Sequence, residues 1–245
     1  MTPTDASVPN AADPAAARAP DLRLLALETR VWAELGLLPL HVRRLTRELP
    51  RGDGHAVMVV PGFGAGDTAT LPLRRVLKRL GYAAYGWNQG INLGLRGPMK
   101  QALAGRLRTL AERHGGPVSL IGWSLGGVFA REMARHQPQV VRRVITLGSP
   151  INGHPNANNM NALFRLMNPK QAAAPDLEGF RRRIVAPPVP CTAVYTRTDG
   201  IVAWHCCLED DADNTENVEV RGSHLGLPYN PEVLRVIAQR LARDA

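Results

Sequence analysis

The segment Gly-Trp-Ser-Leu-Gly at 122–126 constrains the fold of this chain more than any other part of the sequence. It follows a mostly apolar run at 117–121 and precedes a helix-forming stretch at 127–134. A serine between two glycines at such a junction is typical of a sharp strand-to-helix turn, because a side chain at either glycine would collide with the neighbouring strand or helix. The pattern therefore predicts that Ser124 stands exposed above a β-sheet.

Short apolar runs alternate with amphipathic helical patterns along most of the chain. The apolar runs predict strands at 55–60, 82–85, 118–121, 141–147, 192–195 and 218–220. The helical patterns predict helices at 68–80, 99–114, 125–136 and 231–242. Strands that alternate with helices in this way indicate a doubly wound sheet. The predicted fold class is therefore α/β, with a mostly parallel sheet of six strands.

A single domain is the expected organisation. The chain has 245 residues, of which 44% are hydrophobic, and this is enough for one large α/β core. Residues 1–20 are dominated by Ala, Pro, Thr and Asp without periodicity, so we expect a disordered leader there. Residues 21–245 then form the domain, which begins with one or two amphipathic helices within 21–50.

Ser124 is a weak nucleophile on its own, so it needs a base within hydrogen-bond reach and a group that orients the base. In a parallel sheet such groups come from loops at the carboxyl ends of the strands. Asp199 follows the predicted strand at 192–195, and His224 follows the predicted strand at 218–220. Ser124, Asp199 and His224 are therefore the candidate nucleophile, orienting acid and base.

The acid and the base each have an alternative interpretation. Asp199 precedes a glycine, and Asp-Gly is also a common turn pair. The other histidines are expected near helices, at the amino end of the sheet, or in loops: His41, His114, His136, His55, His154 and His205. His205 lies only six residues beyond Asp199, and His154 precedes it, which favours His224 as the base. The acidic residues 209–211 are expected to form a solvated charged run.

Acyl transfer also requires a pair of backbone N–H groups that stabilise the developing oxyanion. Leu125, the residue after the nucleophile, is one candidate donor. The other comes from the glycine-rich turn at 61–67, where Pro61 has no N–H and Phe63 is the natural donor. The alternative is a phosphate-binding loop, but the turn has neither the G-x-G-x-x-G spacing nor a Lys-Ser/Thr ending.

The segment 151–190 interrupts the alternation of strands and helices and predicts a short cap-like or lid-like insertion. Met160, Leu163, Phe164 and Met167 fall within it at helical spacing. Flexible apolar side chains suit contact with an acyl group, so Met160, Phe164 and Met167 are candidate substrate-binding residues. The alternative is that the same face simply packs onto the domain.

From His55 to Ala245 the chain resembles the α/β-hydrolase superfamily, and within it the bacterial hydrolases of the esterase and lipase type. The resemblance rests on Pro61-Gly-Phe-Gly64, Gly122-Trp-Ser-Leu-Gly-Gly127, Thr146-Leu-Gly-Ser-Pro150, Asp199-Gly-Ile-Val202 and Gly222-Ser-His224. The order Ser, Asp, His along the chain is the order of that superfamily. Many relatives have His-Gly at positions 61 and 62, and the antiparallel hairpin that usually opens the sheet is not evident before His55.

The residues and the resemblance together predict a serine hydrolase that cleaves carboxylic esters, with a hydrophobic acyl group, through an acyl-enzyme. The expected substrate is a small-molecule ester or lipid, and no cofactor or metal is expected. The same residues would support acyl transfer to an alcohol or thiol other than water. The fold could also belong to a catalytically silent binding protein.

The net charge of +9 raises the question of an anionic partner. The arginines are spread along helices rather than gathered in one tract with aromatic residues, so we expect no nucleic-acid partner. Peripheral membrane contact through the basic N-terminal helices stays open, and no obligate protein partner is inferred.

The cysteines and the hydropathy pattern bear on location. Cys191, Cys206 and Cys207 are odd in number and two are adjacent, which makes a poor disulfide framework and suits a reducing compartment. The sequence shows neither a secretory signal nor an apolar run long enough to span a membrane. We therefore expect a cytoplasmic protein.

Overall fold

The computed structural model of the chain describes residues 18–94, 97–152, 157–160 and 184–243. Its strands are β1 Ala56–Val60, β2 Ala83–Gly86, β3 Val118–Trp123, β4 Val141–Leu147, β5 Cys191–Tyr195 and β6 Thr215–Glu219. Within the described ranges they form one sheet in the order β2-β1-β3-β4-β5-β6, and each neighbouring pair is parallel. The predicted α/β class and the six-stranded sheet are confirmed.

Helices connect the strands and precede them. Those that the structure describes are α1 Leu22–Leu27, α2 Val31–Glu48, α3 Leu71–Leu80, α4 Gly97–His114, α5 Leu125–His136 and α6 Pro231–Leu241. A 3₁₀ turn at Glu28–Arg30 joins α1 to α2. At the start of α6 the side chain of Asn230 accepts hydrogen bonds from two backbone N–H groups, and proline occupies the first helical position, where its missing N–H costs nothing.

Helices cover both faces of the sheet. Alternate residues of a strand point to opposite faces, and apolar residues of the strands form a core on each face. In β1, Val57 and Val59 belong to a core built with α2, α3 and α6, whereas Met58 and Val60 belong to a core built with α4 and α5. The chain enters the sheet at β1, adds the edge strand β2 on one side, and then adds β3 to β6 in order on the other side. The carboxyl ends of β1, β3, β4, β5 and β6 therefore meet at one edge.

Strand β6 is where the predicted boundaries differ most from the structure. It covers Thr215–Glu219, whereas the sequence predicts 218–220. This strand lies at the edge of the sheet and carries Glu216 and Asn217, with residues that alternate between partly buried and exposed. An edge strand with one solvated face lacks the continuous apolar run by which a central strand is recognised.

Two of the predicted segments lie largely outside the described residues. Of the expected leader at 1–20, only 18–20 are described, and of the expected insertion at 151–190, residues 153–156 and 161–183 are not. Phe164 and Met167 therefore lie outside the described residues. The single-domain division and the lid remain predictions.

Candidate active site

Ser124 lies at the sharp turn between β3 and α5. Its backbone has φ 53° and ψ −125°, a conformation that is costly for a residue with a side chain. A Cβ atom at Gly122 would lie 2.3 Å from the Gly127 Cα, and one at Gly126 would lie 2.3 Å from the Val60 carbonyl oxygen. Both glycines are therefore required for β3, α5 and β1 to approach so closely. The packing holds Ser124 at the carboxyl edge of the sheet, where its side chain is partly exposed.

Asp199 and His224 form a buried pair at the same edge. Asp199 follows β5, and its Oδ2 accepts a hydrogen bond of 2.7 Å from His224 Nδ1. Its other oxygen accepts bonds of 2.8 and 2.7 Å from the N–H groups of Ile201 and Val202, which fixes the carboxylate in its own loop. Both side chains are at most 2% exposed, so the pair is shielded from water. Because Nδ1 donates to the acid, Nε2 is the nitrogen left to accept a proton.

The surroundings of His224 raise its pKa. Burial is the largest effect and acts in the opposite direction, because it disfavours the charged imidazolium. The charge of Asp199, its hydrogen bond and the charge of Glu28 together outweigh burial. The site therefore stabilises a protonated histidine, which is the form that His224 takes after it accepts the serine proton.

The bond between Ser124 and His224 is not formed in this structure. Neither the Ser124 hydroxyl nor His224 Nε2 makes a hydrogen bond to any of the described residues. The two are nevertheless linked through Trp123, whose Nε1 donates a 3.1 Å bond to the His224 carbonyl oxygen. Catalytic hydrogen bonds are often long or open without substrate, so this geometry does not exclude the pair.

Gly148, at the end of β4, packs directly against the acid and the base. It has φ 56°, and a Cβ atom there would lie 2.9 Å from His224 Nδ1 and 3.2 Å from Asp199 Oδ2. The backbone conformation and the space both favour glycine. The Thr-Leu-Gly-Ser-Pro segment at 146–150 therefore packs against the acid–base pair through Gly148.

The glycine-rich turn at 61–67 lies beside Ser124. A Cβ atom at Gly62 would be 3.2 Å from the Ser124 Cβ, so the backbone of the turn approaches the serine closely. Phe63 is partly exposed at this position. Leu125 is the first residue of α5, and the N–H groups of a first helical turn have no partner within the helix. Gly62, the neighbour of the candidate donor Phe63, therefore approaches Ser124 in the structure, and the other candidate donor, Leu125, follows Ser124 directly in the sequence.

Asn92 anchors that turn, and the sequence analysis missed it. Its fully buried side chain donates a 2.8 Å bond from Nδ2 to the Pro61 carbonyl oxygen. Its backbone makes two more bonds, of 2.7 Å with the Gly64 N–H and 2.8 Å with the Ala65 carbonyl. No periodic pattern marks an asparagine in a loop, so only the fold could reveal this role.

Glu28 was also missed. It lies in the 3₁₀ turn between α1 and α2, is 4% exposed, and accepts hydrogen bonds from the backbone of Gly200, His224 and Leu225. The sequence assigned this region only to amphipathic helices. A glutamate in such a helix is ordinarily solvated, and nothing in the local pattern distinguishes this one.

The prediction that residues 209–211 form a solvated run is wrong for Glu209. Its side chain is buried and forms a 2.6 Å ion pair with Arg131 of α5. Burial raises the pKa of Glu209, and Arg131 opposes that change. Asp210 and Asp211 are exposed, as predicted. Glu209 is engaged by Arg131 and not by His224, so Asp199 is the acid that meets the base.

A second Ser–His–Asp arrangement occurs at the amino edge of the sheet. His55 Nε2 lies 2.9 Å from Ser119 Oγ, and His55 Nδ1 contacts Asp53, which also pairs with Arg142 at 2.9 Å. Ser119 lies within β3 and is fully buried. A substrate cannot reach it, so this arrangement is a polar contact that holds the amino ends of the strands together. Burial lowers the pKa of His55.

Met160 and one cavity lie against the loop that carries Asp199. Met160 is partly buried against Ile201, Val202 and their neighbours, so the structure shows it packed onto the domain. A cavity of about 220 Å³ reaches Asp199 and is lined by Leu24, Arg197, Ala203, Trp204 and His205 among others. Neither Ser124 nor His224 lines it, so it is not the space beside the nucleophile.

The described part of the chain contains neither a metal-binding cluster nor a membrane-spanning helix. Within it, no group of three or more His, Cys, Asp and Glu side chains could hold a metal ion. None of the helices in these ranges is both long and apolar enough to cross a membrane.

Comparison with known proteins gives a likeness in structure. No protein-family model matches the chain, and no curated protein matches its sequence. Aspergillus fumigatus lipase B is 17% identical with a TM-score of 0.57, over 78% of this chain and 53% of the lipase. A structure reported for the metagenome-derived lipolytic enzymes LipS and LipT is 13% identical with a TM-score of 0.56, over 78% and 93%. A Paleococcus ferrophilus monoacylglycerol lipase is 17% identical with a TM-score of 0.54, over 77% and 95%.

At these identities the likeness is one of fold and does not extend to substrate. The chain spans about half the length of the Aspergillus lipase and nearly the whole length of the other two.

Proposed function

We propose that this chain, which has the α/β-hydrolase fold, is a serine hydrolase that cleaves carboxylic esters through an acyl-enzyme. The observation that carries the proposal is the buried Asp199–His224 pair at the strand edge where the strained turn presents Ser124. A strained nucleophile beside an oriented histidine is the arrangement that serine catalysis requires.

In the first step Ser124 Oγ attacks the ester carbonyl carbon while His224 Nε2 takes the hydroxyl proton. Asp199 holds the imidazole by Nδ1 and stabilises the imidazolium that forms. The negative charge moves to the carbonyl oxygen, where the N–H groups of Phe63 and Leu125 stabilise it. The C–O bond then breaks, the alcohol leaves with the proton from His224, and an ester to Ser124 remains.

In the second step water attacks the acyl-enzyme. His224 accepts a proton from the water and returns it to Ser124 as the carboxylic acid leaves. A different alcohol or a thiol could replace water without any change in these roles, so acyl transfer is the alternative reaction. A silent binding protein is the alternative in which Ser124 performs no chemistry.

We propose that the acyl group of the substrate is hydrophobic. The lipases among the structural neighbours favour a hydrophobic acyl ester or lipid. Phe164 and Met167 stay candidate acyl contacts, and Met160 stays one at the edge of the same segment. A cap formed by 151–190 is likewise proposed.

Hydrolysis of p-nitrophenyl esters from acetate to palmitate tests the proposal. We expect turnover by the protein, and a fall of about 10⁴-fold or more in kcat for Ser124→Ala, because the nucleophile is lost. Ser119→Ala is the matched control: it removes the buried serine that bonds to His55 at the other end of the sheet, and we expect it to keep kcat. Turnover that survives Ser124→Ala would overturn the assignment, and the absence of turnover on any ester would favour acyl transfer or a silent fold.

We also propose peripheral contact with anionic membranes, through the outer face of α1 and α2. Trp32 is 75% and Leu40 72% exposed, and the last two turns of α2 expose Arg43, Arg44 and Arg47. Apolar side chains next to arginines suit an interface between acyl chains and phosphate headgroups.

A cytoplasmic location is proposed from the cysteines. Cys191, Cys206 and Cys207 are all buried, and none of them is in a disulfide. Burial raises the pKa of Cys191 to about 12, so the reactive thiolate is strongly disfavoured. Cysteines outside disulfides are the form that a reducing compartment maintains.

A further inference from the structure

A buried carboxylate connects the two loops that carry the acid and the base. Glu28 Oε1 accepts a 2.8 Å bond from the Gly200 N–H and a 2.9 Å bond from the His224 N–H. Its Oε2 accepts a 2.8 Å bond from the Leu225 N–H. Gly200 is the residue after Asp199, so one side chain contacts the loops of both partners in the pair.

The packing around Glu28 leaves these loops little freedom to move away. A Cβ atom at Gly200 would lie 2.3 Å from the Leu24 carbonyl oxygen, so α1 rests directly on the loop of Asp199. Three backbone donors converge on a carboxylate that is 4% exposed. Loss of such an acceptor would leave buried N–H groups unpaired, and this is costly.

Two neighbouring side chains of the same segment hold the same loops. Arg30 Nη2 donates to the carbonyl oxygens of Thr198 and Gly222, at 3.2 Å each. Glu34 accepts a 2.9 Å bond from the Ser223 N–H and a 2.5 Å bond from the Ser223 hydroxyl. The residues that Arg30 and Glu34 contact precede Asp199 and His224 in the sequence, whereas Glu28 contacts the backbone of His224 itself.

We infer that Glu28 is a positioning residue for the proposed reaction: it holds the loops of Asp199 and His224 in register and adds a second negative charge behind the imidazole. The inference rests on the proposed function, because it assigns Glu28 a part in presenting the base. The N-terminal segment is then a component of the active site and more than a surface addition.

Charge supports the same role. Asp199 is the acid that touches His224, and Glu28 is the second group whose negative charge favours the imidazolium and so raises the pKa of His224 against the effect of burial. Among the described residues, the other charged side chains bonded to this loop are Arg30, Glu34 and Glu232, the last through the Arg221 N–H. A group that only filled space would influence stability and leave the titration of His224 unchanged.

Glu28→Gln tests the inference, since the amide keeps the shape and loses the charge and one acceptor oxygen. We expect kcat for p-nitrophenyl esters to fall about 10- to 100-fold with little change in KM, because small displacements of catalytic groups have effects of this size. The acid limb of the kcat/KM profile moves to lower pH. Glu48→Gln is the matched control: it removes an exposed carboxylate of α2 that pairs with Arg44 and Arg235, and kcat and the profile stay unchanged.

Two further measurements separate the charge of Glu28 from its hydrogen bonds. Glu28→Asp keeps the charge with a shorter reach, so we expect a lower kcat with the acid limb closer to that of the unmodified protein than in Glu28→Gln. NMR titration of His224, in the unmodified protein and in Glu28→Gln, measures the change in its pKa directly and requires no turnover.

The outcomes separate the two proposals. If esters are not hydrolysed but the His224 titration shifts to lower pH in Glu28→Gln, the proposed function fails and the electrostatic link stands. If ester turnover is lost in Ser124→Ala while Glu28→Gln changes only the melting temperature, the inference about Glu28 is overturned and the function stands.

Discussion

At the scale of single residues, the site consists of groups held in conformations or environments that they would not adopt alone. Ser124 has a positive φ, and so does Gly148, where an added Cβ atom would press against both His224 and Asp199. Burial lowers the pKa of His224, yet the pKa is raised, because the charge of Asp199, its hydrogen bond and the charge of Glu28 outweigh burial. Local strain and burial of this kind persist only where the packing around them imposes it.

The raised pKa of His224 has opposite consequences for activity and for stability. Catalysis needs the neutral imidazole, so we expect kcat/KM to rise with pH through a midpoint above about 6.5, the value of an unperturbed histidine. Folding is favoured by the protonated form, so the contribution of His224 to the free energy of unfolding is fully present below about pH 6.5 and is lost as pH rises through the folded-state pKa.

A pH series of kcat/KM and of denaturant unfolding checks both signs. Ser124→Ala keeps the histidine and serves as the inactive control for the unfolding series. An acid limb centred at or below about 6.5 would contradict the raised pKa.

At the scale of elements, the candidate catalytic residues lie in loops, and the parallel strands align these loops. The turn at 61–67 and the loops of Asp199 and His224 all follow carboxyl ends of parallel strands, which brings them to one edge. Each loop is fixed by a buried polar side chain from elsewhere: Asn92 for the turn, and Glu28 for the other two. Because loops have no internal ladder of hydrogen bonds, such side chains determine their conformation.

Asn92→Ala should lower kcat, because Asn92 anchors the glycine-rich turn at 61–67 that carries the proposed oxyanion donor Phe63. The change leaves the Pro61 carbonyl and the Gly94 N–H, which bonds Asn92 Oδ1 at 3.1 Å, without their partners. We expect kcat to fall about 10- to 100-fold, somewhat less than complete removal of an oxyanion donor, with KM nearly unchanged.

Asn214→Ala is the control for this experiment. Its side chain makes the same kind of bond, at 2.9 Å to the Pro187 and Val189 carbonyl oxygens, at the amino end of the sheet. Both variants should lose stability, by about 1–3 kcal/mol for buried polar groups left unpaired. Equal kcat in the two variants would show that Asn92 supports only the fold.

At the scale of the whole molecule, the N-terminal helices have two different sides. One side contributes Leu38, Val42 and Leu45 to the core and Glu28 to the candidate active site. The other exposes the apolar and basic face proposed for membrane contact. Together with the net charge of +9, this places a surface suited to anionic lipids on the segment that braces the acid–base pair.

Flotation with vesicles tests that surface. We expect binding to vesicles that contain phosphatidylglycerol, weaker binding to pure phosphatidylcholine, and loss of binding as salt is raised. Burial of a large apolar side chain contributes about 1.5–3 kcal/mol, so Trp32→Ser should lower the partition coefficient about tenfold or more. Val185→Ser, which changes an apolar residue that is 65% exposed elsewhere, should have no effect. Binding that is independent of lipid charge and of Trp32 would rule out this face.

The sequence by itself determined the order of elements and the residue types at the strand ends. The spacing of apolar residues reflects local geometry, so it predicted α5 and β4 with the same bounds as in the structure. The glycines on either side of Ser124 predicted a sharp turn, and the structure leaves no room for a side chain at either of them. The sequence also named Asp199 and His224, because residues after consecutive parallel strands must meet at one edge.

Only the tertiary structure decided which distant side chains hold that edge together. Glu28 bonds to His224 from 196 positions away, and Asn92 bonds to Pro61 from 31 positions away. The burial of Glu209 against Arg131 likewise depends on the packing of α5. A local pattern reports whether a residue suits a helix or a loop, whereas a hydrogen bond between loops depends on how all the elements between them pack.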